Sequence, residues 1–165
     1  MFYSKSSNKR ERGASMVEFA IGGAFFFTVM FGVLELGRLL WVHNALVDAT
    51  RRGARYAVLH PASSGNSSNH KVQNVVVCGT EADCTKSNID TTLAWTNVRV
   101  NYSADYDVGK GTVTVTLVND YTQPVGPNNR YIFSFITALV GTTLKLPYYT
   151  TTLTGESAGE VPPSI

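Results

Sequence analysis

The chain has 165 residues and a net charge of +2, the length of one ordinary domain. Its apolar residues are concentrated near the N-terminus, which excludes a single core spread evenly along the sequence. The small net charge also hides a division: residues 1–13 carry Lys5, Lys9, Arg10 and Arg12 against Glu11, whereas residues 61–165 hold six Lys/Arg against eight Asp/Glu.

Behind the basic end, Phe19 to Leu34 contains no charged residue and is dense in Phe, Val, Met, Gly and Ala. Counting from Ala14 to Glu35 gives roughly 21 residues, about 32 Å as a helix, which matches a hydrocarbon core of about 30 Å. The basic cluster precedes this run and nothing comparable follows before Arg51, so the positive-inside rule places the N-terminus in the cytoplasm and the remainder outside. A cleaved signal peptide is the competing reading. The run is longer than a usual h-region, however, and "LELGRLLWVHNALVDATRRGARYAVL" continues as helix without a small-x-small site.

Ala14 to about Leu59 lacks proline and keeps a helical pattern, predicting one helix of roughly 45 residues, near 67 Å, too long for one bilayer crossing. In its second half Leu36, Leu39, Leu40, Val42, Ala45, Leu46, Ala49, Gly53 and Tyr56 recur at helical spacing, so the rod should leave the membrane amphipathic. Trp41 fits either an interfacial position or burial under the exported domain. Arg51, Arg52 and Arg55 lie beyond the membrane and read as a solvated face pairing with the acidic body, not as a nucleic-acid patch.

Pro61 should end the rod, and residues 60–70 form a Ser/Asn/Gly-rich loop. The period then changes. "KVQNVVVCG", "TNVRVNYS" and "GKGTVTVTLVNDYT" are β-branched and alternate, with Val113, Val115 and Leu117 on one face of the last, so residues 71–154 read as a small antiparallel sheet domain. Tyr131 to Val140 is an apolar stretch behind two prolines, predicting a short helix over the sheet. "TTLKLPYYTTTLTGES" is a closing strand in which Pro147 marks an edge or bulge, and residues 155–165 are a flexible tail. The fold class is α+β: a long N-terminal transmembrane helix continuing as an amphipathic rod packed on a small antiparallel sheet.

Cys78 and Cys84 sit six positions apart in the exported part, where an oxidising compartment would join them across "GTEAD"; free thiols are the alternative. His43, His60 and His70 show no zinc spacing, and Asp105 and Asp107 lack the downstream acid of a calcium loop, so no metal or cofactor is expected. The chain lacks G-x-S-x-G, Walker, H-E-x-x-H and C-x-x-C patterns, which argues against an enzyme and a small-molecule substrate.

Glu18 at the edge of the apolar run is costly for lipid and needs a partner. It follows Gly13 by five residues, so a cut after Gly13 would make Ala14 a new α-amino terminus one helical turn away. This arrangement, "GASMVEFA", followed by "ELGRLLWVHNAL" and "ATRRGARYAV", resembles the TadE-like pilus-assembly family, type IV pseudopilins of the Tad/Flp secretion system; the likeness is close over residues 10–60. The resemblance implies a basic leader at 1–13 and a scissile pair Gly13 and Ala14 for a prepilin peptidase. It makes Glu18 and Phe19 the recognition and packing pair, and sets a membrane-exit turn at Glu35 to Arg38, three apart and able to pair. In "ATRRGARYAV" it makes Gly53 and Ala54 the small residues on which the exported domain packs. Implied partners are a second pseudopilin, the major pilin, the inner-membrane platform, the cytoplasmic ATPase and membrane lipid. Two departures stand out: Arg52 replaces a more usual acid, and Ala24, behind Gly22 and Gly23, stands where the family commonly has proline. A permanently anchored envelope protein whose sheet domain binds a ligand, and a hydrolase released from a signal peptide, are the alternative readings.

Overall fold

A computed structural model describes residues 9–60, 66–84, 87–106, 110–136 and 143–158, with backbone only at 9–12, 66–68 and 157–158. Helix α1 runs Lys9–Leu59, 51 residues without a proline. It starts five residues before the expected Ala14 because Lys9 to Arg12 are good helix formers and nothing there interrupts the ladder. Its first half stands free of the rest of the chain, with Phe19 82% exposed, whereas Val42, Leu46, Ala49, Gly53 and Ala57 are buried at spacings of three and four. Leu36 and Leu40, expected on the buried stripe, lie instead on the exposed side.

Residues 66–78 correct the sequence reading. The expected end of the loop and the expected strand "KVQNVVVC" form helix α2, Asn66–Cys78. Three consecutive valines favour a strand on propensity, but Val72, Val75 and Val76 also fall at helical spacing, and burial decides between the two. Val72 and Val76 are fully buried, and Val76 packs where α1 offers Gly53. Gly79, at φ +76°, closes α2 and donates its N–H to the Val75 carbonyl at 3.0 Å. Cys78 and Cys84 are joined as a disulfide that ties the end of α2 to the following loop.

Strands β1 (Val98–Tyr102), β2 (Thr112–Leu117) and β5 (Tyr149–Thr154) form an antiparallel sheet in the order β1-β2-β5. Val113, Val115 and Leu117 are buried on the face of β2 that packs on α1. Thr114 and Thr116 turn to the other face, opposite Thr152 and Thr150. Between β1 and β2, Gly111 (φ +78°) presses on Ser103 and Tyr106, a place closed to a side chain.

The expected short helix at Tyr131 to Val140 is a second correction: Ile132–Ser134 is strand β3, paired with β4 (Thr143–Lys145), while residues 137–142 lie outside the described set. Tyr131 and Phe133 are buried and their neighbours half-buried, the alternation of a strand; the apolar run was too short for periodicity alone to separate the two. Pro147 falls between β4 and β5, so the single closing strand expected there is two strands in different sheets. Residues 61–65, 107–109 and the tail from 159 also lie outside the described set.

A Cβ at Gly53 would run into Val76 Cγ2. Replacing Gly53 by Ala therefore overpacks the α1–α2 seam and should cost about 1–3 kcal/mol, seen as a lower thermal midpoint by circular dichroism. Adding Val76→Ala should recover part of the loss, whereas strictly additive losses would contradict the seam packing.

Candidate functional site: the exposed helix start and the buried Arg38 joint

Gly13 and Ala14 lie within α1 and are exposed. Glu18 sits one turn further on, exposed among Met16, Val17 and Phe19, and among the described residues it makes no hydrogen bond or ion pair. The helix beyond it contains an 18-residue window of mean hydropathy 1.9, none of it buried inside the protein. It is long and apolar enough to cross a membrane.

The second acid of the helix is in a different situation. Glu35 is only 5% exposed, at the point where the free half of α1 meets the domain. Arg38 Nη1 donates to Glu35 Oε1 at 3.0 Å and to the Ser134 carbonyl at 3.0 Å. Nη2 lies 3.6 Å from Asp90 Oδ1, and the guanidinium stands 4.5 Å over the Phe133 ring. Glu35 Oε1 also accepts the Ile136 N–H at 2.8 Å, so one carboxylate oxygen joins α1 to the end of β3. Asp90, equally buried, accepts the Tyr131 hydroxyl at 2.8 Å and the Thr92 hydroxyl at 2.9 Å through Oδ2. A planar cation with several donors is suited to this place, because it serves two carboxylates and a carbonyl at once.

The spacing of Glu35 and Arg38 announced the pair. Asp90, Tyr131, Ser134 and Ile136 had no signal in the sequence, since their role comes from a loop and a short strand folded back to the helix. Trp41, 57% exposed one turn beyond, is not buried under the domain. Arg52 pairs with Asp48 of its own helix at 2.8 Å, not with the acidic body, and Arg51 and Arg55 are exposed. Asp105 is exposed and Asp107 lies outside the described residues. His43 Nδ1 is 2.7 Å from the Tyr149 hydroxyl, and His60 stacks on Tyr56.

Removing Arg38 leaves two buried carboxylates uncompensated. Arg38→Leu should therefore cost about 3–5 kcal/mol of domain stability, while Arg52→Leu, breaking an exposed pair, should change it by less than about 1 kcal/mol. Denaturant unfolding in detergent checks the contrast, and equal losses would show that the joint carries no special weight.

Burial raises the hydroxyls of Tyr102 and Tyr149 to about 12, and burial, reinforced by the charge of Asp90, raises Tyr131 as well. The unfolded chain releases these protons near pH 10, before the folded one, so stability is complete below about pH 10 and falls as pH rises towards about 12. Thermal midpoints followed across that range should drop, and Tyr102→Phe should flatten the slope.

Residues 13–55 match the family model described as TadE-like protein. The match starts at Gly13 and ends within α1, covering about a quarter of the chain. No curated protein and no solved structure matches the chain.

Proposed function

We infer that this chain belongs to the TadE-like family and works as a minor pseudopilin of a Tad/Flp pilus, cut after Gly13 by a prepilin peptidase and acting in assembly or initiation of the fibre. The observation that carries this reading is the family match beginning at Gly13, with Glu18 five residues on and exposed at the head of an apolar, uncovered helix.

The cut releases the basic leader and leaves a cationic amine at Ala14. In the matured helix Glu18 falls close to the N-terminus, where the positive end of the helix dipole favours a carboxylate by about 0.3–1 kcal/mol. Its remaining cost in lipid is met by the α-amino group of a neighbouring subunit, since Glu18 has no partner among the described residues of its own chain. Phe19, exposed beside it, packs against that neighbour.

In this reading the N-terminus begins in the cytoplasm, the helix spans the inner membrane once, and the sheet domain lies on the periplasmic side. A second pseudopilin, the major pilin, the inner-membrane platform and lipid are the partners; nucleic acid and small-molecule substrates have no part. The domain need catalyse nothing: it presents a surface, and the helix carries it into the assembly.

N-terminal mass spectrometry tests the reading. The mature chain should begin at Ala14, Gly13→Ala should block the cut, and Glu18→Ala should leave cleavage largely intact while lowering piliation. An intact leader in peptidase-positive cells would return the chain to a permanent anchor, and normal piliation with Glu18→Ala would remove the charge-pairing account.

A further inference from the structure

The apolar surface of α1 does not end where the domain begins. From Glu18 to Glu35 the helix rises about 25 Å, roughly one turn short of a hydrocarbon core of about 30 Å. The missing turn is present on the outward sides of the helix, where Leu36 is 54%, Leu40 63% and Trp41 57% exposed. Glu35 and Arg38 belong to the same stretch but face β3, which closes over them. Beyond Trp41 the exposed positions turn polar, with Asn44 and Asp48.

The β3–β4 ribbon stands at the same height along the helix axis. The Ser134 carbonyl takes Arg38 and the Ile136 N–H meets Glu35, so β3 runs along α1 towards its bare half and ends level with Glu35. Ile136 is 77% exposed there, and Leu144, opposite Phe133 in the ribbon, is 40% exposed. Helix and ribbon thus continue the apolar surface past the joint together.

A basic rim follows it. Lys145 stands opposite Ile132, two residues or about 7 Å behind the Ser134–Thr143 end of the ribbon. Arg130 precedes β3, on the side away from Ile136, and its guanidinium lies 4.7 Å over the Tyr148 ring. Neither cation pairs with a carboxylate among the described residues. Residues 33–44, 130–136 and 143–148 contain one acid, Glu35, and Arg38 neutralises it. An apolar level followed by a level of Trp, Tyr, Lys and Arg repeats the order of a bilayer, acyl chains first and anionic phosphates next.

We propose that the end of the domain nearest the bare helix docks on the bilayer itself. Ile136 and Leu144 enter the acyl boundary beside Leu40, while Lys145 and Arg130, their stems lying along apolar surface, reach the phosphates of anionic phospholipid. The proposal rests on the reading of α1 as a membrane span. It is carried by the continuity of the apolar surface from helix to ribbon and by the unpaired cations that rim it.

Spin labels on the full-length chain in nanodiscs of phosphatidylcholine and phosphatidylglycerol test the docking. The two native cysteines are paired, so Ile136→Cys, Leu40→Cys and Thr152→Cys each give one labelling site. Ile136 meets Glu35 through its backbone N–H, which leaves the joint intact under a changed side chain. The label at Ile136 should be reached by oxygen and shielded from a water-soluble nickel chelate, as at Leu40. Thr152, exposed beside the Thr151 that bonds to Thr50, lies far up the domain and should show the reverse. Lys145→Glu, or discs of phosphatidylcholine alone, should restore nickel access at Ile136 and leave Leu40 shielded. Nickel access at Ile136 equal to that at Thr152, with Leu40 shielded, would overturn the docking and leave the span standing; nickel access at Leu40 as well would overturn both. Indifference of the Ile136 label to Lys145→Glu and to lipid charge would defeat the anionic partner and the proposal with it. So would spin–spin broadening with shielding from both reagents, which would put a second copy on this surface.

Discussion

Arg38 is the constraint on which the two halves of this protein depend. On one side of it α1 is bare and apolar; on the other it is the central element of a packed domain. A guanidinium hydrogen-bonded to Glu35 and to the Ser134 carbonyl, with Asp90 held beside it as a second counter-charge, fixes the change-over to one turn of the helix. A single ion pair at a surface would hold little, because water competes for both partners. Here both carboxylates are withdrawn from water, so the arrangement tolerates no loss of the cation, and the helix cannot swing without breaking it.

Behind the joint, small residues do the rest. Gly53 and Ala54 let α2 and the sheet approach α1 at the level where Val76 and Val115 meet it, and the resulting layer of Leu46, Val72, Val76, Val98 and Val113 leaves no room for independent motion of helix and sheet. The disulfide Cys78–Cys84 then restrains the loop that leads towards Asp90. Whatever force acts on the free half of the helix is therefore delivered to the domain as a unit, which is the mechanical property a helix-borne assembly component needs.

The helix was legible because two independent signals agreed: an uninterrupted apolar run and a periodic stripe without proline. β2 was legible for the same reason, its valines and threonines alternating cleanly. The failures share a cause. Val72 to Val77 carry strand propensity in their three adjacent valines and helical spacing in Val72, Val75 and Val76, and burial against Gly53 on another element decides between them. Tyr131 to Phe133 is too short to show a period, and the partner that makes it a strand, β4, lies beyond an intervening segment. Of the candidate sites, local spacing announced the Glu35–Arg38 pair, which the fold forms. Asp90 was invisible because its contacts are assembled from segments far apart in sequence.

Glu18 and Glu35 make the difference between the two ends of the exposed helix explicit. They are 17 residues apart, about 25 Å along the axis, close to the thickness of a bilayer core. Glu35 is neutralised within its own chain and anchored to β3, so the domain end of the span is complete as folded. Glu18 has the same chemistry and the same cost in lipid, but nothing in its own chain answers it among the described residues. On the proposed reading, Glu18 takes its partner from outside its own chain. In the pseudopilin reading that second partner is created by the cut after Gly13 on a neighbouring subunit, which makes assembly the step at which the helix first becomes electrostatically complete.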